Sequence, residues 1–321
     1  MSIVFIGTPA FAVPSLRRLV SAGHAVSAVI TQPDRPAGRG RRAQPSAVKV
    51  AAAELGLTVL QPPSLRDPQV LEQIAALRPE AMVAVAYGQI LRREFLDIAP
   101  RGVLNVHPSL LPRYRGASPI PATILAGDEE TGVTIMLMDA GMDSGPILSQ
   151  AACPISPEDT TGSLTGALAD LGAQLLVDTL PGWLSGEIEP RPQDDSLASV
   201  TRLLQKDDGI IDWARPAVEI WRQARAYSPW PGATTRLDGE LLRIWRCRPL
   251  SSGTDSPPGT VLALPLDVTA AGDAGPLPAA FAIQTGEGLL APLELQREGR
   301  RRLAAAEFLR GLPGLIGKRL G

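Results

Sequence analysis

Cysteine, lysine and histidine are scarce in this chain, and each shortage excludes something. Two cysteines among 321 residues, Cys153 and Cys247, lie far apart with no metal-ligand spacing. Neither a disulfide scaffold nor a zinc site is therefore expected. The only lysines are Lys49, Lys206 and Lys318, so nearly all positive charge is arginine, a residue suited to bidentate phosphate contacts. The plain explanation of that bias, and the weightier one, is the arginine codon usage of a GC-rich genome; phosphate recognition is the alternative. Charged residues make up 20% of the chain and the net charge is −2, which excludes an acidic tail and a uniformly basic nucleic-acid coat while leaving room for a local basic patch. No apolar run approaches the ~18 residues of a membrane span. The start has an apolar stretch (residues 3–6) and an Ala10-Phe11-Ala12 triplet, but it lacks the basic n-region and the length of a secretory signal. The cytoplasm is the expected compartment.

Glycine and proline, by contrast, are plentiful at 31 each, above the usual combined share of about 12% and below the ~25–30% of low-complexity disorder. Hydrophobic residues reach 45%, and the length suits two domains at roughly 100–200 residues apiece. Short apolar runs at 3–6, 25–30, 81–86 and 103–106 read as strands. Helical spacing at 15–20 and 68–77 separates some of them. That alternation predicts βαβ units, a mostly parallel sheet and helices on both faces. Residues 131–138 and 147–153 flank a Gly-containing connection and read as antiparallel strands at one end of the sheet. Residues 164–184 read as a helix interrupted by Pro181. The stretch 187–195, with Pro190, Pro192 and clustered charge, has linker composition. Beyond Lys206 a helix at 217–226 precedes short runs at 241–245, 260–264 and 280–285, the pattern of a small antiparallel sheet or barrel. The domains expected are 1–186, a linker at 187–206, and 207–321.

A parallel sheet raises dinucleotide binding first. The residues after the first strand, Gly7-Thr8-Pro9-Ala10-Phe11-Ala12, lack the G-x-G-x-x-G fingerprint, and Pro9 and Phe11 obstruct a pyrophosphate. A Walker A loop is missing as well. The informative stretch is Asn105-Val106-His107-Pro108-Ser109-Leu110-Leu111-Pro112. Period-2 alternation sends Asn105 and His107 to one side of a strand end, where open α/β sheets bind ligands. His24, the other histidine, reads as a surface turn residue. A lone histidine is ordinarily structural and hydrogen-bonded, and that alternative stands for His107. Asp139 and Asp143 share a Gly-rich turn and could both be Asx-turn residues. Taken with Asn105 and His107, they suit acyl transfer without a covalent nucleophile. An amide and a protonated imidazole would stabilise an oxyanion, and a carboxylate would carry the proton between nitrogens.

Residues 105–120, including Arg113-Tyr114-Arg115-Gly116-Ala117-Ser118-Pro119-Ile120, together with the 139–145 turn, resemble the formyltransferase family that uses 10-formyltetrahydrofolate. The segment Thr31-Gln32-Pro33-Asp34-Arg35-Pro36-Ala37-Gly38-Arg39-Gly40 is similar to the tRNA-contacting loop of its tRNA-formylating members. Residues 226–233, Ala-Tyr-Ser-Pro-Trp-Pro-Gly-Ala, resemble their C-terminal domain. The likeness spans nearly the whole chain and weakens at 251–278. It implies an N-terminal Rossmann-like α/β domain with a mostly parallel sheet, and a smaller C-terminal OB-like β-barrel. It also implies transfer of a formyl group from 10-formyltetrahydrofolate to the methionine amino group of initiator methionyl-tRNA. The implied catalytic residues are Asn105, His107 and Asp143, with no metal. Ser109, Leu110, Leu111 and Pro112 are the implied folate contact, and Tyr87, Gly88, Asp139, Ala140 and Gly141 the other pocket walls. Pro108 stands where some relatives have Gly, and Met142 and Ser144 depart conservatively from Leu and Thr.

Arg35, Arg39, Arg41 and Arg42 lie within eight positions among Pro36, Gly38 and Gly40, a segment unable to hold a helix. A solvated charge run is the ordinary explanation; the resemblance implies contact with a tRNA acceptor stem, led by Arg39. Trp213, Trp221, Tyr227 and Trp230 read mostly as core residues, with Tyr227 or Trp230 left for a surface groove. Arg300-Arg301-Arg302 and Lys318-Arg319 are further phosphate candidates, or plain solubility charges. The rivals are an amino-sugar or glycinamide-ribonucleotide formyltransferase, a non-catalytic RNA-binding protein on an enzyme scaffold, and, weakly, a dehydrogenase. A monomer with no membrane partner is expected.

Overall fold

The computed structural model describes residues 2–37, 42–251, 253–264 and 279–321. Contacts divide the chain into two compact units. The first comprises Met1–Pro119, Glu129–Pro154 and Leu164–Arg202; the second comprises Ile120–Asp128, Ile155–Ser163 and Leu203–Gly321.

In chain order the first half forms β1 (Ser2–Gly7), α1 (Val13–Ser21), β2 (Ala25–Ile30), β3 (Arg35–Ala37), β4 (Arg42–Gln44), α2 (Ala47–Glu54) and β5 (Val59–Leu60). Then come α3 (Pro68–Ala76), β6 (Ala81–Val85), α4 (Arg93–Leu96), β7 (Val103–His107), β8 (Arg115–Gly116), α5 (Pro119–Ala126), β9 (Glu130–Leu137), β10 (Ile147–Pro154), α6 (Thr161–Ser185) and β11 (Val200–Thr201). Seven strands build one sheet in the order β10-β9-β7-β6-β1-β2-β5. The five from β7 to β5 run parallel, and β9 and β10 are antiparallel at one end, as the hydrophobic pattern predicts. Strand β6 is buried along its full length, the continuous apolar run that a sheet covered on both faces requires.

Alternation sorts the two faces. Val4, Ile6, Ile30, Met82, Ala84 and Val103 share a core with Ile74 of α3 and with Leu91, Phe95 and Leu96. On the opposite face of β7, Val106 meets α6 at Gly172, where an added Cβ would fall 2.7 Å from its Cγ1. Only glycine permits helix and strand to approach so closely. Helix α6 continues four residues past Pro181, against the expected interruption. Proline deletes one helical hydrogen bond, but Leu180 and Leu184 are buried on either side and hold the final turn in place. Two helices, α1 and α3, carry proline in their first turn, where a missing N–H costs nothing.

The second unit contains α7 (Ala217–Ala226), β12 (Ala233–Leu237), β13 (Glu240–Leu250), β14 (Val261–Ala263), β15 (Phe281–Gln284), β16 (Leu289–Arg297), β17 (Leu303–Ala304) and α8 (Ala305–Arg310). Its curled antiparallel sheet runs β12-β13-β16-β15-β14, with β17 also on β16, a half-barrel around Ile244, Val261, Phe281, Leu290 and Phe308. Among the described residues no helix is long and apolar enough to cross a membrane.

Candidate active site

The end of β7 presents Asn105 and His107 from the same face, two positions apart, as alternation demands. His107 is 4% exposed. Its Nε2–H donates to the Tyr114 carbonyl at 3.0 Å, which sets the tautomer of the neutral ring and turns the Nδ1 lone pair towards Asp143. Burial is the main influence on its pKa and holds it below the ordinary histidine value; the Asp143 carboxylate and the Tyr114 carbonyl oppose that shift. The ring is therefore neutral at rest.

Asp143 arrives from the loop between β9 and β10, with its backbone at φ +49°, a left-handed conformation unusual outside glycine. Its Oδ2 accepts the Gly116 N–H at 2.8 Å and lies 3.6 Å from His107 Nδ1. Its Oδ1 lies 3.5 Å from Asn105 Nδ2. The other acid of that turn does something else. Asp139 accepts from the Gly141 N–H and from the Ser144 hydroxyl, closing an Asx turn. Of two carboxylates that look alike in sequence, one builds the turn and the other faces the amide and the imidazole.

The loop after His107 is latched from behind. Thr134, opposite His107 on β9, donates its hydroxyl to the Ser109 carbonyl and accepts from the Leu111 N–H and from Gln150 Nε2. Gln150 also donates to the Leu111 carbonyl. Ser109 donates to the Arg113 carbonyl, Leu110 packs towards Gly132, and Leu111 is buried with Met136 and Ile147. The bond from Leu111 to Pro112 is cis. The side chains of Ser109, Leu110 and Leu111 are thus committed inward, shaping the loop. Tyr87 is buried in the core beside Leu91 and Val103, and its carbonyl accepts from Thr8 and Gln32. Gly88 follows at φ +81°.

A cavity of about 670 Å³ opens at the amino-terminal entry to β7, lined by Leu96, Arg101, Val103, Met138, Asp139 and Trp183 among others. Val103 stands two positions before Asn105 on the same face of β7, roughly 7 Å along the strand. Asp139 and Ala140 meet the cavity, while Asn105, His107, Asp143, Tyr87, Gly88, Gly141 and residues 109–112 do not line it.

An amide, an imidazole and a carboxylate meeting at the carboxyl end of β7 suit attack on a small acyl group, and comparison with known proteins identifies which. The formyl transferase family model matches residues 1–180, and the model of the formyl transferase C-terminal domain matches 203–313. The chain belongs to the formyl transferase family. A methionyl-tRNA formyltransferase of Roseiflexus sp. (strain RS-1) is 52% identical over 100% of this chain and 95% of its own. Another, from Chloroflexus aurantiacus (strain ATCC 29366 / DSM 635 / J-10-fl), is 51% identical over 97% of each. The fold also matches the N-formyltransferase of Helicobacter canadensis, solved with folinic acid and dTDP-3-aminofucose. There the TM-score is 0.65 at 19% identity, over 90% of this chain and 98% of that one.

In this formyl transferase the arginine segment forms an antiparallel hairpin, β3 with β4. Arg35 is exposed on β3 and Arg42 begins β4, whereas Arg39 and Arg41 lie outside the described residues. Asp34, just before β3, accepts from Lys49 and Gln61, and these bonds hold its carboxyl below the usual range. In the second unit Trp213 and Tyr227 are buried and Trp230 is exposed. Arg302 lies over the Trp245 ring, and Arg301 and Lys318 pair with Glu307 and Asp238. Sequence reasoning missed Thr134, Gln150 and Gln193, whose side chains hold the site loops. Each is a lone polar residue with no motif around it, and only chain partners distant in sequence reveal its role.

Proposed function

We propose that Asn105, His107 and Asp143 carry out formyl transfer, with the donor's formyl group held at the carboxyl end of β7. The reaction of this chain is transfer of a formyl group from 10-formyltetrahydrofolate to the amino group of methionine on initiator methionyl-tRNA, for translation initiation. The observation that carries the site reading is the approach of both Asn105 and His107 to the one carboxylate of Asp143.

As the methionine amine attacks the formyl carbon, negative charge builds on the formyl oxygen. Asn105 Nδ2–H donates to it, an interaction worth about 2.7–4 kcal/mol when such a donor is removed. The proton that Asp143 takes from the attacking amine is shared with His107 Nδ1, since Nε2–H is already engaged by Tyr114; the imidazolium stabilises the oxyanion and returns that same proton through Asp143. Asp143 removes a proton from the attacking nitrogen and delivers it to the departing folate nitrogen. One C–N bond forms, one breaks, and a proton moves between the two nitrogens. The folate is consumed, so it is a co-substrate. Ser109, Leu110, Leu111 and Pro112 contact the folate through the loop they shape, and Tyr87, Gly88, Asp139, Ala140 and Gly141 form the other walls of its pocket.

Arg35, Arg39, Arg41 and Arg42 meet the acceptor stem, with Arg39 making the decisive contact. Cations of the second unit add affinity through phosphates, which weakens with salt. A single copy suffices, because one chain supplies all three reacting groups, and charged initiator tRNA is a cytoplasmic substrate.

Purified protein with labelled formyl donor should formylate charged initiator tRNA and leave charged elongator tRNA nearly untouched; equal rates, or no transfer, would overturn the reading. Arg39→Ala should lower kcat/KM for initiator tRNA severely, and an unchanged value removes the hairpin from selection. Sedimentation at assay concentration should give a monomer.

A further inference from the structure

Inside the loop bearing Asp143, the Asp139 carboxylate closes a turn on Gly141 and Ser144. The loop is exposed at Ala140, Gly141 and Met142, and Asp143 itself adopts a left-handed backbone. Its anchor comes from the stretch of linker composition. Gln193 Nε2 donates to the Asp143 carbonyl at 2.8 Å and to the Gly145 carbonyl at 2.7 Å, a fork across the catalytic residue. Its Oε1 accepts Arg115 Nε at 3.0 Å, so the amide has one satisfied orientation: its oxygen needs a donor and its nitrogen faces two carbonyls. The Arg115 side chain is 10% exposed, and its Nη2 donates to Asp195 Oδ1 at 2.7 Å.

Arg115 also sets the second contact. The next residue, Gly116, donates its N–H to the Asp143 carboxylate, and the preceding one, Tyr114, accepts from His107. Residues 114–116 are themselves clipped to the same stretch. The Ser199 hydroxyl accepts the Tyr114 N–H, the Ser199 carbonyl accepts the Arg115 N–H, and the Thr201 hydroxyl donates to the Arg115 carbonyl. Both sides of the catalytic carboxylate, backbone and side chain, therefore depend on 193–201.

We infer that Gln193 is a positioning residue for formyl transfer, holding Asp143 at the distance its proton transfer needs. The inference rests on the reading of Asp143 as the proton carrier. Misplacing a catalytic group by about 1 Å costs on the order of a hundredfold. Gln193→Met, similar in size but unable to donate, should lower kcat by about 10–100-fold while KM for both substrates stays within about threefold. Gln193→Glu, which retains a partner for Arg115 but loses both donors, should do the same. On an Asp143→Asn background either change should cost nothing further, because two residues acting through one group are non-additive. A kcat within twofold of wild type in both variants, or a loss that persists in full on Asp143→Asn, overturns the inference. The two readings fail separately. Near-normal turnover by Asp143→Asn alone sinks the proton-carrier role, whereas an impaired Asp143→Asn beside a normal Gln193→Met sinks only the role of Gln193.

Discussion

Asn105 and His107 stand on a strand, and Asp143 stands on a loop. The strand pair is placed by the backbone itself, since two positions along β7 return a side chain to the same face, hydrogen-bonded between β6 and β9. The loop residue is placed by bonds borrowed from elsewhere, Gly116 on its carboxylate and Gln193 on its carbonyl. Local geometry suffices for the first pair. Distant polar partners are needed for the second, so substitutions behind it should be felt in turnover before they are felt in folding.

The sharpest way to break this contrast is Asp143→Asn. The amide retains an acceptor for Gly116 but cannot carry the proton, so kcat should fall about 10²–10⁴-fold with the melting temperature nearly unchanged; a matching collapse in Tm would make the loop a structural element instead. Next comes Asn105→Ala, for which rapid-quench assays should show a loss of about 10²–10³ from one missing oxyanion donor. Gly172→Ala tests the strand's backing. Its methyl would meet Val106, and urea titration should read a destabilisation of about 1–3 kcal/mol. The folded fraction should keep its turnover, because Val106 faces away from Asn105.

The smallest effect concerns pH. His107 binds its proton less readily folded than unfolded, so below the ordinary value near 6.5 the unfolded chain carries more protons. Stability from this residue is complete above that value. It is lost as pH falls through the lower folded pKa, with a slope of at most ~1.4 kcal/mol per pH unit. His107→Asn should flatten that part of the stability–pH curve; an unchanged slope would mean that the acid sensitivity lies elsewhere.

The sheet was legible because its strands are short apolar runs bounded by Gly, Pro or polar residues, and burial on both faces leaves that trace in β6. Asn105 and His107 were legible for the same reason, a two-residue period. The separate duties of Asp139 and Asp143 were hidden, because an Asx turn and a catalytic carboxylate have the same local composition. The stretch around Gln193 read as linker from Pro190, Pro192 and its charges. Those features report the lack of a helix or strand period, and they carry no information about which distant carbonyls an amide will reach. Pro181 misled in the other direction, since packing of Leu180 and Leu184 outweighs one missing helical bond.

By itself the order of amino acids decided the layering, the parallel core of the sheet and the common face of an amide and an imidazole, since all three follow from periodicities a few residues long. Folding in three dimensions decided the tautomer of His107, the division of labour between two aspartates and the seating of Asp143 under Gln193. Those depend on hydrogen bonds between groups 7 to 50 positions apart, and no short-range pattern encodes which of them will meet.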